Sequence, residues 1–160
     1  TDQAPGPGTH NMFREMRTAG ILSKVREKDP TQLPCWEVLK LGCKGGAEVL
    51  GLNDKIGSLE EGKKADIITI DLSYLNLTPV VSTPFHNFIP NLVYSSMGNE
   101  VDNLIVNGEI IMEGGEFLNI DEDKIIDEAN RRAEEIFKKS KDEWEKADSY
   151  LVKKSSEGFI

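Results

Sequence analysis

An α/β chain is the fold class this sequence predicts, on three observations. Apolar residues recur at helical spacing through the N-terminal third, β-branched runs flank an Asn-Gly dipeptide further on, and a long charged stretch with a single apolar stripe follows. Each element has a local reason. Pro5-Gly6-Pro7-Gly8 can continue neither a helix nor a central strand, so the first residues are loop. Asn11 is a suitable N-cap for a first helix whose stripe is Met12, Met16, Ala19, Leu22 and Val25, and Lys28-Asp29-Pro30 ends it. Pro34 opens a second helix in the first-turn position that tolerates proline, with Val38, Leu39, Cys43, Ala47 and Leu50 as its buried face and Gly51 as its C-cap. Gly45-Gly46 inside that helix costs about 1 kcal/mol per glycine relative to alanine, which close packing against a neighbour would explain.

Beyond Gly51 the period changes to that of strands. Glu60-Glu61-Gly62-Lys63-Lys64 is a turn, and Ala65-Asp66-Ile67-Ile68-Thr69-Ile70-Asp71 a β-branched strand. Residues 73–90 hold three of the seven prolines and little periodicity, a long excursion of the kind that is functional or packs over something. Val101-Asp102-Asn103-Leu104-Ile105-Val106 and Glu109-Ile110-Ile111-Met112 flank Asn107-Gly108, a dipeptide suited to two successive positive φ angles and so to a tight hairpin. Glu113-Gly114-Gly115-Glu116 turns the chain again. Asp121 caps the final helix, with Ile120 placed to staple onto Ile125. Its stripe is Ile125, Ala129, Ala133, Ile136, Ser140, Trp144 and Ala147, and Glu134/Lys138 and Glu135/Lys139 are candidate i,i+4 pairs on a solvated face. The tail from Ser155 is expected to be loose.

Composition narrows the partners. The 160 residues carry a net charge of −9, which does not suit nucleic acid or an anionic membrane surface. The two cysteines, Cys35 and Cys43, make no disulfide framework and are read as small apolar packing residues, so a reduced cytoplasmic setting is expected. No apolar run is long enough to span a bilayer. The opening residues read as though the chain begins in mid-fold, the pattern of a processed or truncated chain. Local motifs for chemistry are scarce. There are only two histidines, His10 and His86, with no HxH, no HExxH, no paired CxxC, no P-loop and no nucleophile elbow. His86, among Phe85 and Phe88, is read as a packed, hydrogen-bonded residue outside any site.

Longer patterns say more. Gly57-Ser58-Leu59-Glu60-Glu61-Gly62-Lys63-Lys64-Ala65-Asp66-Ile67-Ile68 resembles the segment by which amidohydrolases leave their barrel for a β-sandwich, and Gly46-Ala47-Glu48-Val49-Leu50-Gly51-Leu52 resembles the last barrel helix before it. Val101-Asp102-Asn103-Leu104-Ile105-Val106-Asn107-Gly108 resembles that family's closing hairpin. Thr1-Asp2, then Asn11-Met12-Phe13-Arg14-Glu15-Met16-Arg17, and Leu92-Val93-Tyr94-Ser95-Ser96 are similar to the aminohydrolase/chlorohydrolase group within it, which includes nucleoside and guanine deaminases and triazine hydrolases.

The resemblance implies the C-terminal portion of a (β/α)8 TIM barrel over residues 1–52, part of a small β-sandwich over 53–120 and a C-terminal helix and tail over 121–160. A complete barrel needs roughly 250 residues, so the N-terminal portion of the enzyme is the first partner it implies, with a homo-oligomer as the assembly. It further implies one divalent metal, zinc or iron, whose bound water attacks a heteroaromatic ring carbon bearing an amino group or a halide. Asp2 matches the carboxylate that reaches the metal, takes the water's proton and returns it to the leaving group. Thr9, His10 and Asn11 are placed to line the substrate pocket, or else His10 and Asn11 do no more than begin the helix. The family's histidine ligands and its glutamate acid/base are not in this chain, and Gln3-Ala4-Pro5-Gly6-Pro7-Gly8 differs from the short Gly/Ser/Asn-rich run of purine-nucleoside deaminases. Read without the resemblance, Asp2 is a turn or capping residue. The contrasting function is a scaffold or dimerisation piece with no chemistry of its own.

Overall fold

A computed structural model describes residues 10–147 and 149–158, which fall into two compact units, one running to Leu118 and one starting at Asn119. In the first unit, α1 (Met12–Glu27) starts where the sequence requires. Asn11 is extended, its side-chain oxygen accepts from the Arg14 amide at 3.2 Å, and Lys28 ends the helix in the left-handed region with φ 52°. The buried face of α1 differs from the expected stripe. Met16 and Gly20 are buried, whereas Met12, Leu22 and Val25 are exposed. The helix is covered on one side only, by α2 (Cys35–Lys40) and α4 (Phe88–Tyr94), and the apolar residues pointing elsewhere have no cover within this unit. Val38, Ile89 and Val93 join Met16 as the core, with Phe13, Leu33, Cys35, Leu39 and Tyr94 packed around it.

Pro34 stands as the N-cap of α2 rather than inside its first turn. After Lys40 the helix widens into one π-turn (Leu41–Gly45) before α3 (Gly46–Val49), and Gly51 follows the last turn with φ 66°. Close packing does not account for Gly45-Gly46, since a Cβ on Gly46 would meet nothing within 4 Å. The tight position is Gly42, where a Cβ would sit 2.6 Å from the Met16 sulfur. Ala47 is buried as expected, but Cys43 and Leu50 are exposed.

The sheet is an antiparallel meander of β1 (Ile67–Ile70), β2 (Val101–Val106), β3 (Glu109–Glu113) and β4 (Glu116–Phe117), paired in sequence order. Asn107 and Gly108 take φ 53° and 84°, the paired positive angles the hairpin needs. The two stretches that resemble the family motifs touch here. Asp66 accepts from the Asn107 amide at 2.7 Å, and Ala65 accepts from the Gly108 amide at 2.9 Å, which ties the start of β1 to the hairpin turn. Met112 is buried, whereas Ile68, Val106 and Ile110 are exposed.

The excursion between β1 and β2 contains a 3-10 turn (Leu75–Leu77) and α4, a helix its weak periodicity concealed. Asparagine amides tie it together. Asn91 donates to the Leu77 carbonyl at 2.7 Å, and Asn87 donates to Pro79 and accepts from the Val81 amide, both at 2.8 Å. Such side-chain bonds satisfy backbone groups that no ladder reaches.

In the second unit, α5 (Glu122–Lys146) is capped by Asp121, which accepts from the Lys124 amide at 3.0 Å. Ile125, Ile136, Phe137 and Trp144 on it are exposed, and none of its residues is buried. Ile120 and Ile125 are likewise exposed. Lys138 pairs with Glu134 at 3.4 Å as expected, but Glu135 pairs with Arg131 at 2.5 Å instead of with Lys139. The C-terminal residues form α6 (Tyr150–Ser156), capped by Ser149, where a loose tail was expected from Ser155. Among the described residues no helix is long and apolar enough to cross a membrane.

Candidate functional site

Of the residues singled out for function, Asp2 and Thr9 lie outside the described residues. His10 and Asn11 lie at the N-terminal end of α1, and His10 is exposed. Together with Met12 and Phe13 they line a shallow groove whose opposite wall is Met97, Gly98 and Asn99, the turn that leads into β2.

Asn11 bonds at both ends of its side-chain amide. Oδ1 caps α1, while Nδ2 donates to the Met97 carbonyl at 2.6 Å, across 86 residues of sequence. Asn11 therefore does more than begin the helix, because it fastens the start of α1 to the turn before β2. The turn fits because residue 98 is glycine. Its φ is +98°, and a Cβ there would come within 3.3 Å of the Asn11 Nδ2 and 3.5 Å of the Phe13 ring.

The turn in turn is built around Glu100, which the sequence reading did not single out. Its side chain is 1% exposed, yet every bond it makes is to a donor. The carboxylate accepts from the Ser96 hydroxyl at 2.7 Å, the Gly98 amide at 2.8 Å and the Met97 amide at 3.1 Å, and from the Asn76 side chain through a very short bond. Burial alone pushes its pKa up. The Asn76 and Ser96 bonds, with backbone amides, outweigh that and hold it at about 2, so the group is a charged anchor at neutral pH. The available signal was a polar turn, Ser95-Ser96-Met97-Gly98-Asn99, ending on an acid directly before a strand. Sequence alone does not reveal that this acid is buried.

A second anchor steadies the other end of α1. Lys24 Nζ donates to the Gln32 and Leu33 carbonyls at 2.7 and 2.9 Å and to the Tyr94 hydroxyl at 3.0 Å. His86, expected to be packed and hydrogen-bonded, is exposed and stacks on Phe88 with ring centroids 4.2 Å apart. Among the described residues, no three His, Cys, Asp or Glu side chains converge as metal ligands. The described residues therefore do not furnish a metal centre by themselves.

Comparison with known proteins gives this geometry a setting. Residues 1–111 match the Amidohydrolase family. A 5-methylthioadenosine/S-adenosylhomocysteine deaminase of Desulforudis audaxviator is 42% identical over 136 residues, covering 85% of this chain and 30% of the relative. A 5'-deoxyadenosine deaminase of Methanosarcina barkeri is 39% identical over 136 residues, with the same 85% and 30% coverage. Among solved structures, an adenosine deaminase from Xanthomonas campestris with bound zinc superposes with a TM-score of 0.78 at 31% identity, covering 85% of this chain and 30% of that one. The chain thus spans about 30% of the length of the relatives it matches. Such neighbours imply a TIM-barrel-type fold, to which this chain contributes α/β structure with a four-stranded antiparallel sheet. With the match covering residues 1–111, the chain belongs to the amidohydrolase family.

Proposed function

We propose that this chain is the C-terminal part of a metal-dependent hydrolase that removes an amino group from a heteroaromatic ring of the aminopurine type. The observation that carries the reading is the 42% identity to a nucleoside deaminase over 136 residues. In this reading residues 1–52 belong to the last β/α portion of the barrel, 53–120 to a β-sandwich and 121–160 to a C-terminal helix and tail. The exposed Ile68 and Val106, which the register puts on one face of the sheet, support it, since a sandwich strand needs a second sheet over its apolar face.

Asp2 is the proposed catalytic carboxylate and metal ligand. A carboxylate at that point takes a proton from the attacking water and delivers it to the departing amine. Thr9, His10 and Asn11 line the substrate side, and the groove between His10, Asn11 and the turn at 97–99 supports that assignment for the last two. The metal is divalent, zinc before iron, and its remaining ligands come from residues outside this sequence. The complete enzyme is proposed to be a homo-oligomer. Deamination is preferred to dechlorination because the relatives described above are deaminases.

The test is ammonia release by the complete enzyme from a panel of adenosine analogues, pterins and aminated triazines, with chloride release followed for the chlorinated triazines. Turnover of aminopurine nucleosides well above the triazines is expected. Turnover of none of the panel by a metal-replete sample would remove the reading.

A further inference from the structure

We propose that Glu100 is a positioning residue for the substrate-side segment at His10 and Asn11, acting through the turn at residues 96–99. The inference rests on the deaminase reading only in that the segment is taken to face substrate. The structural link is independent of it.

The chain of contact is short. The Glu100 carboxylate gathers the Ser96 hydroxyl and the Met97 and Gly98 amides, which fixes the conformation of that turn. With Met97 fixed, its carbonyl is presented to Asn11 Nδ2 at 2.6 Å, while the same Asn11 side chain caps α1 through Arg14. Further bonds keep the carboxylate's own place. Asn76 bonds both Glu100 and the Ser95 carbonyl, the latter at 2.9 Å, and the Glu100 carbonyl accepts from the Asp71 amide at 2.8 Å at the end of β1. The carboxylate is therefore anchored to the sheet and to the excursion, and Asn11 is anchored to the carboxylate. A buried charge surrounded by donors is a rigid reference point, because moving it away from any donor leaves a desolvated polar group unpaired. Rigid support of this kind sets where a binding group stands without touching the substrate. Glu100 is not assigned any contact with the reacting atoms.

Two variants of the complete enzyme test this. Glu100→Gln keeps the size but turns an amide NH2 towards donors. Asn11→Asp keeps the cap on α1 but removes the donor to Met97 and sets a carboxylate against its carbonyl. Each is expected to raise KM for an aminopurine nucleoside about tenfold with kcat changed less than about twofold, the pattern of lost binding rather than lost chemistry. In the double variant the rise should not exceed the larger single one by more than about twofold, since both act through the same bond. Independently of substrate, amide hydrogen exchange at Arg14, Met97 and Gly98 should quicken in Glu100→Gln.

If Glu100→Gln loosens only Met97 and Gly98 and leaves Arg14 exchange and KM as in the wild type, Glu100 is a local clamp and the inference is overturned. Should Glu100→Gln fail to fold, Asn11→Asp still decides, because unchanged KM in that variant overturns the inference as well. Arg14 exchange that responds in an enzyme turning over no aminopurine would support the link and remove the deaminase reading instead.

Discussion

Gly57 lies where the helical N-terminal third gives way to the turn before β1, and replacing it by alanine should cost far more than the same change a few residues on. Its φ is +93°, and a Cβ built there falls 2.7 Å from the Ala47 Cβ, 3.3 Å from the Cys43 carbonyl oxygen and 3.3 Å from the Lys44 Cα. Two penalties combine. An L-residue at such a φ costs about 1–2 kcal/mol. The overlap with Ala47 is well inside the usual carbon–carbon separation of about 3.5–4.0 Å. Two of the three neighbours are backbone and cannot rotate away, so an overpacking cost of about 1–3 kcal/mol applies. The sum for Gly57→Ala is about 2–5 kcal/mol. Gly62 supplies the control. Its φ is +87°, but a Cβ there meets nothing within 4 Å, so Gly62→Ala carries the backbone penalty alone, about 1–2 kcal/mol. Urea unfolding of the two variants beside the wild type measures both. Equal losses at the two positions would refute the close approach of the Gly57 turn to Ala47.

Other consequences are open to the same kind of measurement. Glu100 has its pKa lowered from 4.5 to about 2, so its contribution to stability is complete above pH 4.5 and is lost as the pH falls from there towards 2. The wild type should therefore lose its advantage over Glu100→Gln across that window, an advantage of about 3 kcal/mol at neutral pH. A stability difference that does not vary with acid would contradict the charged state assigned here. Lys24→Met removes donors to two carbonyls and the Tyr94 hydroxyl, and should destabilise by about 2 kcal/mol. Loss of under about 0.5 kcal/mol in urea unfolding would show those bonds to be exchanged freely for water. Finally, the 160-residue polypeptide alone should enhance the fluorescence of a dye that reports exposed apolar surface, because Leu22, Val25, Ile110, Ile136 and Phe137 are exposed. A dye response no greater than that of a fully covered globular protein would contradict that exposure.

Features governed by neighbours in sequence were legible. Asn11 and Asp121 cap helices because a short side-chain oxygen reaches an amide three residues on, and Asn107-Gly108 turns a hairpin because both residues tolerate positive φ. Features that depend on distant partners were not. The stripe through Met12, Leu22 and Val25 has the right period, but α2 and α4 cover only the side at Met16 and Gly20. The excursion looked irregular because asparagine-to-backbone bonds, rather than periodic apolar contacts, tie it together. At the candidate site, Asn11 was found for its capping oxygen, while the reach of its nitrogen to Met97 needed the fold. Glu100 escaped notice for the same reason, since an acid before a strand is ordinarily solvated and only the gathered donors keep this one buried and charged.

The proposed role of Asp2 is to bring its carboxylate to the metal of a larger hydrolase. The most direct test is the metal content of the complete enzyme, by elemental mass spectrometry after dialysis, in the wild type and in Asp2→Asn, with circular dichroism to verify that both are folded. One divalent metal per chain in the wild type, with weakened retention and loss of ammonia release in Asp2→Asn, is the predicted result. A folded Asp2→Asn enzyme that retains its metal and its turnover would contradict that role.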